Sequence, residues 1–349
     1  MEAFKAKAPV SCQRNAGIDL LRIIAAFYIV LLHVLGWGGV YGTTAEGSYQ
    51  QAVSGFAYMW VLCGVNIFGL ISGYVGYSEK EKPIPWKSLL RLWIEVVFYD
   101  VGLTLLTLWL RPGAASPADL IPMFLPILNN SHWYFTAYAI LIPLLPLLNG
   151  AVRSCGRKTL LQSLTALFLF VIPFCCVFSF FRDYSFVWLL ILYLVGAILK
   201  KEGFGSNISP LLCVAGIVLM NLLSYWIFHH WTGIQVLDTS IDASIVKLFL
   251  FPCHFFSAIV HLLLFTRLKF PRSVSGWITA LAPGAFAVYL LNTQKHVWSG
   301  YLRDRFVAWA FSSPLGLLVR VVAVSALFVT VSLIVDWLRR QLFGLFRKH

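Results

Sequence analysis

Three ionisable residues share one stripe of the first apolar segment, which reads IDLLRIIAAFYIVLLHV and carries Asp19, Arg22 and His33. Arg22 and His33 lie eleven positions apart. An α-helix turns about 100° per residue, so roughly 1,100° over that step, and the two side chains point within about 20° of each other. Asp19, one turn before Arg22, falls on the same face. The rise from Arg22 to His33 is roughly 16 Å. A charged group inside hydrocarbon costs about 2.5–3.5 kcal/mol on insertion scales, so each one needs an account. Two readings are open for Arg22 and Asp19: a snorkelling cation beside a helix cap, or part of a functional site. Two are open for His33: a neutral imidazole satisfied by a neighbouring helix, or a general base. Three polar groups on one stripe favour a shared functional face.

Other charged positions are less decisive. Arg91, Glu95 and Asp100 occupy the third apolar segment. Arg91 and Glu95 are spaced to neutralise one another as an i, i+4 pair. Alternatively, Arg91 joins Arg22 as an anion site. His254 and His261 share a helical face without matching a compact metal motif, and packing or hydrogen bonding is the favoured reading. The seven cysteines show no CxxC spacing and read as small hydrophobes, with the vicinal Cys175–Cys176 pair as the alternative redox element. No metal site is expected.

The elements that must carry these groups are membrane helices. Of 349 residues, 59% are hydrophobic and only 12% charged, and the mean hydropathy is +0.80. Soluble domains carry about 25% charged residues, so this chain cannot cover a water-facing surface. Apolar runs of roughly 17–25 residues recur, each long enough to cross a core of about 30 Å, and none alternates with period two as a barrel strand would. The net charge of +13 is read as cytoplasmic loop charge meeting anionic lipid rather than as a nucleic-acid surface. The expected fold is all-α, a polytopic transmembrane helix bundle of about ten spans.

The spans are placed at 18–37, 53–77, 86–110, 132–149, 158–181, 184–199, 207–228, 244–266, 277–298 and 314–338. The fourth is interrupted by Pro143 and Pro146 and preceded by an apolar 120–128 stretch, read as re-entrant or interfacial. With the amino terminus in the cytoplasm, 18 basic residues fall inside, 6 outside and 3 within spans. That asymmetry places both termini in the cytoplasm and makes the number of spans even. No repeat, cleavable signal or separate soluble domain is read, so residues 1–349 form one membrane domain.

Arg22 and His33, with Ile18-Asp19-Leu20-Leu21 before them, form an R-x10-H pattern that resembles the first helix of the acyltransferase-3 family of membrane acyltransferases. GVNIFGLISGY at 64–74 resembles the family's second-helix segment, and the basic start of the third span with Arg91 its third. HWYFTAYAILIPLLPLLN at 132–149 resembles its W-Y segment, and AVYLLN at 287–292 its late Y-L-I-H segment. The resemblance runs from about residue 14 to 340. The subgroup it resembles is that of Gram-positive acyltransferases, including the membrane domain of vancomycin-resistance serine racemases. One departure stands out: Asn292 occupies the place of the family's late histidine, with His296 one turn further on. Asparagine hydrogen-bonds but does not shuttle protons near neutral pH.

The resemblance implies transfer of an acyl group, acetyl by default, from cytoplasmic acetyl-CoA to a hydroxyl on an extracytoplasmic envelope glycan or related acceptor. The membrane implied is the cytoplasmic membrane of a bacterium. Arg22 and Arg91 are the expected binders of the CoA phosphates. His33, beside Arg22 and Asp19, is the expected general base or transient acyl carrier. Asn66, Ser72, Trp133, Tyr134 and Asn292 are expected to line the substrate pocket. The pantetheine arm, roughly 15–20 Å long, matches the Arg22–His33 rise of roughly 16 Å. A transporter or flippase for a small polar or lipid-linked substrate is the alternative, since buried charges in helix bundles also mark carriers. A non-catalytic envelope partner is a third.

Overall fold

The computed structural model describes residues 14–111, 113, 116–171, 186–205, 207–230, 235–236, 239–240 and 251–346. Apart from a ribbon of two-residue strands pairing Gln235–Val236 with Thr239–Ser240, the regular structure of these residues is helical. The thirteen principal helices are α1 (Ala16–Leu35), α2 (Tyr49–Val61), α3 (Gly64–Gly76), α4 (Trp86–Leu110), α5 (Trp133–Leu141), α6 (Leu145–Ser154), α7 (Arg157–Ala166), α8 (Phe186–Glu202), α9 (Pro210–His230), α10 (Pro252–Phe265), α11 (Arg272–Leu281), α12 (Ala285–Thr293) and α13 (Pro314–Phe346).

Among the described residues, six helical stretches are long and apolar enough to cross a membrane: Ala16–Leu35, Tyr49–Gly76, Trp133–Ser154, Pro210–His230, Arg272–Thr293 and Pro314–Gly344. The protein is a multi-pass membrane protein. Three further expected spans coincide with helices outside that set. α4 has 25 residues but carries Lys87, Arg91, Glu95 and Asp100, while α8 has 17 residues and α10 has 14. The expected spans 158–181, 184–199 and 244–266 lie partly outside the described residues, and Cys12 and the Cys175–Cys176 pair lie wholly outside them.

The prolines act where expected. Pro143 and Pro146 lack an amide hydrogen and force a short 3-10 turn, Ile142–Leu144, between α5 and α6. Pro283 does the same at Ala282–Gly284, between α11 and α12. The 120–128 stretch forms one helical turn, Leu120–Met123, and only Met123 and Pro126 of the stretch are buried. The ninth span is shorter at its end than expected. α12 stops at Thr293, and Gln294 caps a new turn, its Oε1 accepting from the amides of His296 at 2.7 Å and Val297 at 3.2 Å.

α1 is the central helix, packed against α3, α13, α12, α2, α10 and α11. One buried cluster joins it to α3, α8 and α10, and a second joins it to α2, α12 and α13. The α3–α8 crossing explains Gly69 and Gly73 of the GVNIFGLISGY segment, while Gly64 faces α1. A Cβ on Gly73 would lie 1.9 Å from the carbonyl oxygen of Tyr193, and one on Gly196 would lie 2.2 Å from that of Leu70. Small residues allow backbones to touch where no hydrophobic effect drives helices together.

Candidate active site

α1 begins where Asn15 caps it. Asn15 Oδ1 accepts hydrogen bonds from Gly17 N at 2.9 Å and Ile18 N at 3.2 Å. The reading of Asp19 as a cap is therefore corrected: the cap position is already filled, four residues earlier. Asp19 is instead 1% exposed and holds two guanidinium groups. Arg14 Nε lies 2.6 Å from its Oδ2, and Arg22 donates to its Oδ1. One carboxylate between two arginines leaves a net charge of +1 at this end of α1.

Arg14 and Arg22 open into a cavity of about 410 Å³ that also takes in Ser72, Tyr138 and the Ala282–Pro283 turn. His33 lines a second cavity of about 290 Å³, with Trp37, Trp133, Thr293 and Trp298 in its wall. Phe68, Tyr134 and Phe286 line both cavities. The two chambers therefore meet at an aromatic constriction, with the arginine pair at one end and the histidine at the other.

His33 is held on two sides. Its ring stacks on Trp37 with centroids 3.7 Å apart and planes 8° from parallel. Its Nδ1 is hydrogen-bonded to Asn292 Oδ1. A carboxamide oxygen only accepts, so Nδ1 carries the hydrogen and donates it. Nε2 is left with its lone pair, the form a general base needs. Asn292 is fully buried. The departure at the late motif thus becomes a contact with the first-helix histidine. His296, on the turn beyond α12, is a separate buried group.

The other expected site residues divide. Trp133 and Tyr134 line the histidine cavity, and Ser72 lines the arginine cavity, its hydroxyl donating to Phe68 O at 2.9 Å. Asn66 is buried against α8, its Oδ1 accepting from Trp188 Nε1 at 2.9 Å, and lines neither chamber. Arg91 is exposed on α4 and lines neither chamber, although the next residue, Leu92, faces the arginine cavity. The Arg91–Glu95 pair is also corrected. Glu95 lies 3.1 Å from Arg339 of α13, because α13 brings a cation group buried alongside it. Arg339 and Arg340 both clasp the buried Asp336, at 2.7 and 2.8 Å, and Tyr99 donates to it at 3.0 Å. His261 is hydrogen-bonded to Ser257 O at 2.8 Å and His254 to Ser224 at 3.3 Å, in line with the packing reading.

Sequence reasoning missed Arg14, Phe68, Phe286, Trp37 and Thr293. Arg14 precedes the helix, outside the stripe that drew notice. Phe68 and Phe286 look like any membrane aromatic until two chambers are seen to share them.

The fold and this two-ended site define a multi-pass membrane protein that brings a cationic chamber and a histidine chamber together along one helix. The sequence model of the Acyl_transf_3 family, described as an acyltransferase domain, matches residues 15–337. The chain belongs to this family and is a membrane acyltransferase. No curated protein and no solved structure matches it.

Proposed function

We propose that the protein transfers an acyl group, acetyl by default, from cytoplasmic acyl-CoA to a hydroxyl of an extracytoplasmic envelope glycan or related acceptor. The observation that carries this is the pair of chambers meeting at Phe68, Tyr134 and Phe286, with Arg14 and Arg22 at one end and His33 at the other. The arginine chamber opens to the cytoplasm and takes the phosphates of CoA through charge-assisted hydrogen bonds. Pantetheine threads the constriction and delivers the thioester to the histidine chamber, over the roughly 16 Å that separates Arg22 from His33 on α1. His33 Nε2 removes the proton of the acceptor hydroxyl as it attacks the acyl carbonyl. Asn292 holds the required tautomer.

This reading takes both termini as cytoplasmic, residues 1–349 as one domain of about ten spans, and the cytoplasmic membrane of a bacterium as the location. The distribution of basic residues supports the orientation. The resemblance to Gram-positive acyltransferases and serine racemase membrane domains supports the setting.

The test is release of free CoA thiol from acetyl-CoA by the purified protein in nanodiscs, beside folded His33→Ala and Arg22→Ala variants. Turnover by wild type and its loss in His33→Ala are expected. Absence of both turnover and acetyl-CoA binding in wild type would overturn the reading and turn attention to substrate transport.

A further inference from the structure

The histidine chamber has a second polar arm. Thr293, the last residue of α12, lines the chamber one position after Asn292. Its Oγ1 lies 2.8 Å from Nδ1 of His132, the residue that precedes α5. His132 Nε2 lies 2.9 Å from Asp100 Oδ1 on α4. His132 and Asp100 are each 1% exposed. A buried carboxylate thus orients an imidazole whose other nitrogen faces the hydroxyl of a residue that lines the chamber. This is the arrangement that activates a hydroxyl nucleophile, and it is recognised by geometry and roles rather than by sequence order. The carboxylate engages Nε2 and the hydroxyl Nδ1, which serves equally because either ring nitrogen can carry the proton. The Thr293 hydroxyl also lies 2.8 Å from Tyr289 O, so its hydrogen has two acceptors between which to rotate.

Chamber size gives this arm a task. At about 290 Å³ the chamber falls at the lower end of small-molecule sites, which run about 300–1,000 Å³. With donor and acceptor entering from opposite ends, an acyl group resting on the protein lets CoA withdraw before the acceptor arrives.

Resting on the acyltransferase reading above, we propose that Thr293 is a covalent acyl carrier, activated by His132 and Asp100. In the first half-reaction the Thr293 hydroxyl proton passes to His132 Nδ1. Oγ1 forms a bond to the thioester carbonyl carbon, and the C–S bond breaks to release CoA thiolate. In the second half-reaction the acceptor hydroxyl gives its proton to His33 Nε2 and attacks the acyl-threonine ester. The bond from carbon to Oγ1 breaks, and Oγ1 recovers its proton from His132. His33 then loses its proton to solvent, which balances the thiolate released earlier. Thr293 and His132 are catalytic, and Asp100 is a positioning residue.

The experiment uses the full-length protein in nanodiscs with radiolabelled acetyl-CoA and no acceptor, quenched in acid, digested and mapped by mass spectrometry, with released CoA thiol measured in parallel. One acetyl group on the peptide containing Thr293 is expected. Thr293→Val removes the label, and Thr293→Ser keeps it, which separates chemistry from folding. His132→Gln slows labelling by about a hundredfold or more. Asp100→Asn slows labelling without lowering its final extent, and Asp100→Glu restores part of the rate, a pattern a merely structural role does not produce. CoA release without label on Thr293, label on His33 instead, or unchanged label in Thr293→Val overturns the carrier while leaving the acyltransferase reading intact. Failure to bind acetyl-CoA at all removes that reading and the carrier with it.

Discussion

The imidazole of His33 on α1 donates from Nδ1 to the amide oxygen of Asn292 on α12, a contact between residues 259 positions apart. A residue that cannot itself move a proton thereby decides which nitrogen of its partner can. Asn292→Leu, close in volume but without an acceptor, removes that selection. Turnover of acetyl-CoA should fall by about a hundredfold, with donor affinity unchanged. Asn292→Asp keeps an acceptor and should retain much more activity. Steady-state release of CoA thiol, beside equilibrium binding of acetyl-CoA, checks both variants.

Arg22 and Arg14 share one carboxylate, so removing either leaves Asp19 paired and the net positive charge cancelled. Arg22→Gln should raise the KM for acetyl-CoA by about tenfold, equivalent to about 1.4 kcal/mol, with kcat nearly unchanged. The wild-type KM should rise with salt more steeply than that of the variant, since a charge-assisted contact is screened.

The constriction can be closed without touching either end. Phe286→Trp adds bulk at a residue common to both chambers and costs about 1–3 kcal/mol of packing. Acetyl-CoA should still bind, because Arg14 and Arg22 are unchanged, while CoA release falls at least about tenfold. Equal loss of binding and release would mean that the chambers do not connect as drawn.

Asp336 is fully buried and holds Arg339, Arg340 and Tyr99, while Arg340 also donates to Ala280 O at 2.8 Å. The cluster braces α13 against α4 and against the end of α11 beside the Ala282–Gly284 turn. Asp336→Leu leaves Arg340 without a carboxylate and Arg339 with Glu95 alone, and should destabilise the protein by about 3 kcal/mol. A lowered thermal midpoint in nanodiscs, with proportionate loss of folded protein rather than a selective change in KM, is the expected result.

Beyond the membrane helices, Lys295 Nζ lies 2.6 Å from Asp119 Oδ1. That hydrogen bond holds the half-buried Asp119 carboxyl below the usual carboxylate range. A depressed carboxylate pKa contributes at pH values above the ordinary range and is lost as pH falls through the depressed value. The link should therefore hold from pH 8 down to about 5, above the ordinary aspartate value of about 3.9. Proteolysis of the 116–131 segment should be insensitive to pH across that window, and Lys295→Met should accelerate it throughout, modestly, because exposed pairs are screened.

Hydrophobic run lengths sufficed to read a helical membrane protein, because hydrocarbon admits only segments that satisfy their own backbone hydrogen bonds. Helical periodicity sufficed to put Asp19, Arg22 and His33 on one face, because that relation depends on a single helix. The proline interruptions at Pro143 and Pro146 were legible for the same local reason. What no single helix contains was decided by packing. Glu95 could be assigned to Arg91 by spacing, yet it pairs with Arg339, because α13 brings a half-buried guanidinium alongside it while Arg91 points outward. Asn292 looked like a lost histidine until α12 was seen to lie against α1. Phe68, Tyr134 and Phe286 come from three separated segments and become a constriction only when α3, α5 and α12 converge. Sequence patterns record which way a side chain points from its own axis. Which groups meet across helices is set by how the axes cross, and at the α3–α8 contact that crossing depends on glycines that let backbones touch.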